Sequence, residues 1–451
     1  MLPKIKRLWP AMMSVAFLVL VSSAFGQETE KTGPANEPLS LEDCIRIVLD
    51  KNSDILIARD EINAAVERKN QARSEFLFKA NTTYSYTRLN EAPELQSIRF
   101  PGIPQNLEIG TVNNWDWKTE FNQPVFAGFA LVTSYELAKL GIDVAHVDLE
   151  TTKLNLIVQT KVAYFNLLLA EKGTIVAEDA VVGFEAQAKV AKDFFDVGMT
   201  PKNDYLKAQV EAANARQNLI RAKNLVEIRR AELNNLLRYP VDMNTQVVDV
   251  MNYAPVPYTL DYAFEQAYQN RPELKAARFN TESAQKNVKL AQSEYYPNLG
   301  LTFAYEKMGD TWKVSGSEFE VQEVWSLTAG VDWTFWEWGR TFHSVSENRV
   351  RVRQTEEAER QLRELIALRV KEAFLNLRES EKNVPVAQTS IEQAEENHRM
   401  SVERYKEQVT TNTEVLDAQT LLSQAKDNYY GALYRYNVAL AQLRVAMGLL
   451  D

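Results

Sequence analysis

The strongest constraint on this chain is that it is written twice. Residues 39–86 align without a gap to 258–305, at a constant offset of 219. Leu41 falls on Leu260, Ala58-Arg59 on Ala277-Arg278, and Ser74-Glu75-Phe76 on Ser293-Glu294-Tyr295. Residues 121–237 align to 331–447 at a second constant offset, 210. There Lys161, Ala163, Asn166 and Leu167 fall on Lys371, Ala373, Asn376 and Leu377, and Leu206, Ala208 and Gln209 on Leu416, Ala418 and Gln419. The offsets differ by nine, so the first copy carries nine extra residues between about 87 and 120, which marks a surface loop. A duplicated chain folds as two copies of one unit, here expected over 39–238 and 258–451 with a linker at 239–257 and a pseudo-two-fold between them.

Each unit reads as helix, strand, loop, strand, long helix, turn, helix. Ser40 and Thr259 are expected N-caps, with Asp43 as a first-turn acid. Helix formers run with scarcely a break from about 131 to 197 and again from about 341 to 409. At 1.5 Å per residue such a helix reaches on the order of 100 Å, far beyond the needs of a globular domain. The last helix spaces Val415, Ala418, Leu422, Ala425, Tyr429, Leu433, Tyr436, Leu440 and Leu443 by threes and fours, the seam of a coiled coil. Pro385 lies inside the second long helix and predicts a kink or local unwinding.

The strand segments, at about 80–124 and 297–338, alternate with period two. Leu299, Leu301, Phe303 and Tyr305 share one face, as do Trp325, Leu327, Ala329, Val331, Trp333 and Phe335, and in the first copy Trp115, Trp117, Thr119 and Phe121. The opposite faces carry Asn, Asp, Glu, Lys and Thr, so they meet water. Periodicity alone describes a soluble sandwich equally well. Strand length and tryptophan placement favour lipid. Each strand has the roughly ten residues that a tilted transmembrane β-strand requires. Seven tryptophans lie beyond the N-terminal segment: Trp115, Trp117, Trp312, Trp325, Trp333, Trp336 and Trp338. All fall in strands and loops and none in helices, as interfacial girdles demand. Trp115, Trp117, Trp325, Trp333, Trp336 and Trp338 are the candidate girdle, with Trp336 and Trp338 expected to pack where barrel meets helix. Four strands cannot close a barrel, and open edges are forbidden in lipid, so the chain is expected to oligomerise. Three copies supply twelve strands.

The N-terminus agrees with export. Lys4, Lys6 and Arg7 precede the apolar run AMMSVAFLVLV, and Ala24 and Gly26 supply the small residues a signal peptidase needs, so residues 1–26 are expected to be a cleaved signal and 27–38 a linker. A membrane anchor is the alternative, but the run falls short of the roughly 20 residues a span requires. The net charge is −10, and loss of the basic signal makes the chain still more acidic, which argues against nucleic acid as a partner. Cys44 is the only cysteine, so there is no internal disulfide, and it lies too far into the chain for lipid attachment. No cofactor or metal is implied: His146, His343 and His398 are scattered, and the glycines form neither GxGxxG nor a P-loop. Catalysis is therefore not expected.

The export segment, the duplicated unit, VGMTPKND at 197–204 and EVLDAQ at 414–419 together resemble the TolC-type outer-membrane efflux family. The resemblance implies an α+β membrane protein: a homotrimer with a twelve-stranded β-barrel in outer-membrane lipid and a long α-helical coiled-coil tunnel across the periplasm. It further implies an exit duct for efflux or type I secretion, working with a periplasmic adaptor (a membrane fusion protein) and an inner-membrane transporter of RND or ABC type. By the same resemblance, Val197, Gly198, Met199, Thr200, Asn203, Asp204, Tyr405, Gln408, Val409 and Thr410 form the periplasmic tip that meets the adaptor. Glu414 and Asp417 are implied to face the pore as an acidic constriction, although both also fit a solvated helix N-terminus. Gln408 stands where the first copy has Gly198, so Asn412 is the expected left-handed turn residue instead. Thr410 stands where some family members place an arginine that ties the tip together. A soluble periplasmic coiled-coil scaffold or adaptor is the alternative function.

Overall fold

The computed structural model describes residues 38–96, 106–319 and 323–450. The expected signal, and all but the last residue of the linker after it, lie outside the described residues, as does part of the nine-residue insertion. The first copy comprises α1 (Leu41–Lys51), α2 (Ser53–Ser74), β1 (Lys79–Arg88), β2 (Glu94–Gln96), β3 (Asn106–Glu108), β4 (Asn113–Ala127), α3 (Ala130–Asp196) and α4 (Lys202–Leu237). The second comprises α5 (Leu260–Asn270), α6 (Pro272–Gln292), β5 (Asn298–Gly309), β6 (Glu323–Asp332), α7 (Arg340–Lys406) and α8 (Asn412–Ala446). The small hairpin β2–β3 is the first copy's addition.

The leading helix of each unit is broken in two. Asn52 ends α1 and caps α2, its side chain accepting from the Asp54 amide, and Pro272 starts α6 at the position where a missing N–H costs nothing. Ser40 and Thr259 cap α1 and α5 as expected, accepting from the amides of Asp43 and Tyr262. Both α3 and α7 are 67 residues long. α7 runs through Pro385 without a break, so the expected unwinding is absent. Packing on its N-terminal side holds it: Val384 and Glu381 are buried, and Arg378 pairs with Glu381 at 2.5 Å and donates to the Tyr258 carbonyl at 2.6 Å.

The main core lies where α1, α3, α4, α5, α7 and α8 meet, around Tyr164, Leu233, Leu237, Leu377, Tyr436 and Leu443. Two phenols fasten the non-helical linker to it. Tyr164 donates to the carbonyls of Leu39 and Val248 at 3.1 and 2.6 Å, and Tyr436 donates to that of Ala254. Cys44 is fully buried here, and desolvation pushes its thiol up to about 12, so it is inert to exchange. The coiled-coil seam of α8 is buried or half-buried throughout. Nearer the hairpin ends the packing turns to alanine: Ala180, Ala191, Ala208, Ala212 and Ala215 close around Phe184 and Leu416.

The four long strands form one antiparallel sheet in the order β1-β4-β5-β6. The two hairpins have the same register. Lys79 pairs with Asn122 in the first, and Asn298 with Asp332 in the second, the same pair displaced by both sequence offsets. β1 and β6 are free edges. The second copy's strand stops at Asp332 rather than reaching 338, because residues beyond it have no neighbouring strand in this chain, whereas β4 continues to Ala127 against β5.

Candidate functional site

One face of the sheet is aromatic and open to its surroundings. Trp117 stands edge-on to Tyr305 at 6.0 Å, Phe121 meets Phe303 at 6.1 Å, and Trp115 lies against Tyr84 and Tyr86. Phe303 carries the row on to Trp325, and Leu301, Leu327 and Val331 extend it. Trp325 is 70 % exposed and Trp117 37 %. The other face holds Asp116, Lys118, Glu120, Asn122, Thr302 and Asp332, with Lys118 paired to Glu120 at 2.8 Å and Thr302 donating to Asn122 at 2.7 Å. A contiguous apolar face this large marks a surface built for lipid or protein rather than water.

The strands pass into the long helices through two consecutive left-handed residues in each copy: Gly128 and Phe129 (φ 58° and 70°), then Trp338 and Gly339 (φ 54° and 83°). The offset of 210 superposes these pairs, with the glycine exchanged between the two positions. Sequence reasoning missed this elbow, although a glycine in each pair was there to see. In the first copy Phe126 and Phe129 close on Tyr296 at 6.5 and 5.7 Å. In the second, Trp336 and Trp338 touch each other at 5.5 Å but remain 67 % and 86 % exposed. Within its own chain the expected junction packing by Trp336 and Trp338 is therefore absent. Trp333 lies just past β6, its indole donating to the Tyr295 carbonyl at 3.2 Å.

At the opposite ends of the long helices two turns form the tip. In the first, the amides of Gly198 and Met199 donate to the carbonyls of Phe195 and Phe194 at 2.9 and 2.8 Å. In the second, those of Gln408 and Val409 donate to Tyr405 and Arg404 at the same distances. Gln408 itself adopts the left-handed conformation, φ 59°. Asn412 does not take the turn: it begins α8 fully helical, because the two-bond helix stop already forms at Gln408. Gln408→Gly is therefore expected to relieve about 1 kcal/mol of strain, read as a rise of a few degrees in the melting of the purified protein.

Asn412 has another task. Its buried amide accepts from Gln187 at 2.7 Å and donates to the Asp204 carbonyl at 2.9 Å, joining the two hairpins. Tyr405 is buried against Phe194 at 5.4 Å, and desolvation raises the pKa of its phenol. Val197, Met199 and Val409 are exposed, Gly198, Asn203 and Gln408 also face outward, and the Thr200 hydroxyl is buried. Glu414 and Asp417 lie exposed one turn apart on α8. Glu414 receives the Thr410 hydroxyl and pairs with Arg404 at 3.1 Å, while Asp417 has no ion-pair partner among the described residues. Asn412→Ala would leave the Gln187 amide without its buried acceptor and remove the tie to the Asp204 carbonyl, a cost of about 1–3 kcal/mol. Faster proteolytic nicking near residues 197–204 and 407–412 is the expected readout.

The sequence model of the family described as "Outer membrane efflux protein" matches residues 44–237 and again 263–449, one match for each copy. The chain belongs to the outer membrane efflux protein family. It is 23% identical over 461 residues to outer membrane protein TolC of Vibrio cholerae, covering 99% of this chain and 96% of that one. It is 22% identical to TolC of Escherichia coli over 89% of this chain and 80% of the other, and 20% identical to the outer membrane efflux protein BepC of Brucella suis over 70% and 69%. Among solved structures, the Campylobacter jejuni CmeC outer membrane channel superposes with a TM-score of 0.75 at 17% identity, covering 90% of this chain and 85% of that one. The outer-membrane channel OprN gives 0.74 at 16%, covering 90% and 89%. This outer membrane efflux protein is thus an outer-membrane protein with the fold of those channels. Among the described residues no helix is long and apolar enough to cross a membrane.

Proposed function

We propose that this efflux protein is the exit duct of a tripartite export system: three copies close a twelve-stranded barrel in the outer membrane, and their long helices form one tunnel across the periplasm. The single observation that carries this reading is the sheet. It has an apolar outer face, a charged inner face and two free edge strands, and at its base it continues into two 67-residue helices. A sheet with open edges is unstable in lipid, and a closed ring of three removes them. The exposed apolar residues Val197, Met199 and Val409 supply the contact with a periplasmic adaptor, through which an RND- or ABC-type transporter delivers cargo. Trp115, Trp117, Trp325 and Trp333 act as the girdle, and Glu414 and Asp417 line the narrow end of the pore.

Reconstitution tests the duct. Purified protein should run as a trimer in mild detergent and give discrete conductance steps in planar bilayers. A trimer with no conductance would sink the channel reading. For the adaptor contact, a photo-crosslinker on Met199→Cys should capture the adaptor in intact cells, while the same label on the sheet's outer face should not.

A further inference from the structure

We propose that the internal repeat dictates, residue by residue, how one subunit's β6 pairs with β1 of the next, and that residues 333–337 become strand only on that neighbour. The inference rests on the trimeric reading above and adds a register to it. Within the chain, β4 of the first copy pairs with β5 of the second, Asn122 opposite Thr302 and Phe121 opposite Phe303. In a closed ring, β6 of the second copy meets β1 of the partner's first copy in the same relation. Carrying β4 forward by 210 and β5 back by 219 places Asp332 opposite the partner's Thr83 and Val331 opposite the partner's Tyr84. Ala329 then faces the partner's Tyr86, and Thr328 the partner's Thr87.

Three features on this chain fit that register. The parity is right: Val331, Ala329 and Leu327 share their face with Tyr84 and Tyr86 in the sheet, so apolar meets apolar, whereas a one-residue slip would turn every side chain to the wrong face. Pairs of β-branched with aromatic residues, and of threonines, are among the favourable cross-strand neighbours. Past Asp332 the mapping continues as β4 does past Asn122, including its irregularity between Pro124 and Phe126, and sets Trp333 opposite the partner's Thr82, Trp336 opposite the partner's Ala80, and Glu337 opposite the partner's Lys79. This seats Trp333 and Trp336, which the single chain leaves exposed, beside a neighbouring strand, and it matches opposite charges. It also explains why β4 is 15 residues long and β6 only 10. The equivalence ends at the elbow. A Cβ on Gly128 would lie 2.2 Å from the Ser293 carbonyl oxygen, so Trp338, which carries a Cβ, must stand further from the partner's Ser74. The joint between subunits is wider there than the joint within one.

Disulfide trapping reads the register directly. Adjacent antiparallel pairs alternate between wide and narrow spacing, so one of Asp332→Cys with Thr83→Cys and Val331→Cys with Tyr84→Cys has the close geometry a disulfide needs. The buried Cys44 stays out of the reaction. Both double variants, exported in the full chain and oxidised, should give intermolecular bands on non-reducing gels that reductant removes. The yield of the better pair should be several-fold above that of Asp332→Cys with Ser85→Cys or Val331→Cys with Tyr86→Cys, each two residues out of register. Single-cysteine chains that still run as trimers in mild detergent show that the positions tolerate the change. Trimers that crosslink best at a displaced pair, or at none, overturn the register and leave the trimeric reading standing. Chains that stay monomeric in detergent and give no conductance overturn both.

Discussion

Alanine at both Glu414 and Asp417 is expected to lower the cation-over-anion permeability ratio of the reconstituted channel by several-fold, most clearly at low salt. The two carboxylates are exposed one turn apart near the start of α8, and three copies would stack six of them at the narrow end. A ring of like charge in a confined aqueous path concentrates counter-ions and repels co-ions. Its reach follows the screening length, about 30 Å at 0.01 M salt and about 3 Å at 1 M, so the difference between variant and parent should fade as salt rises. Arg404 makes the test sharper. It pairs with Glu414 at 3.1 Å, so a ring at that level would be partly neutralised from within each subunit. Glu414→Ala therefore releases a guanidinium as well as removing a carboxylate. Asp417→Ala removes a carboxylate that has no ion-pair partner among the described residues. Arg404→Ala should move the ratio the other way. Reversal potentials in planar bilayers report all three, and an unchanged ratio in every variant would retire the pore-facing placement of Glu414 and Asp417.

Much of this architecture was legible because duplication supplies its own control. Two offsets read from the sequence reappear as the shared register of two hairpins. The long helices lie within a few residues of where unbroken runs of helix formers put them. What was not legible depended on partners that sequence does not display. Pro385 argues for a kink or a local unwinding, yet packing around Val384 and Arg378 keeps α7 helical through it, since tertiary contact outweighs one lost hydrogen bond. Gln408 is a poor left-handed residue by type, yet it takes that role because the helix stop is set by its position opposite Gly198 in the repeat. Asn412, expected in the turn on conformational grounds, is placed by its buried bonds to Gln187 and Asp204, two residues more than 200 positions away. Period-two patterning ran past Asp332 to Phe335, but a strand ends where its neighbour ends. Arg404 gave no signal of its own, because an arginine on a charged helix looks like any solvated residue until its partner is known.

Gly128→Val is expected to abolish assembly, leaving the chain protease-sensitive and absent from the outer membrane. Gly128 holds φ 58°, where a β-branched side chain is strained by more than the 1–2 kcal/mol usual for an L-residue. The neighbouring backbone makes matters worse. A Cβ there would sit 2.2 Å from the Ser293 carbonyl oxygen, 3.0 Å from its carbon and 3.1 Å from the Tyr296 Cβ. Two of these are main-chain atoms of the turn that leads from α6 into β5, so no rotamer relieves the contact. The sheet and the helices would have to separate at the one point where β4, α3 and α6 converge. Gly339→Ala supplies the comparison within the same molecule. It also has positive φ, at 83°, but its nearest neighbours are His343 side-chain atoms at 3.7 and 3.8 Å, an ordinary contact. Strain alone therefore acts at Gly339, whereas strain and collision act together at Gly128. Gly339→Ala should lower the melting temperature by a few degrees while trimers persist in mild detergent. Gly128→Val should yield none. Equal behaviour of the two variants would show that the elbow tolerates displacement, and that the close approach of Ser293 is not what fixes the sheet on its helices.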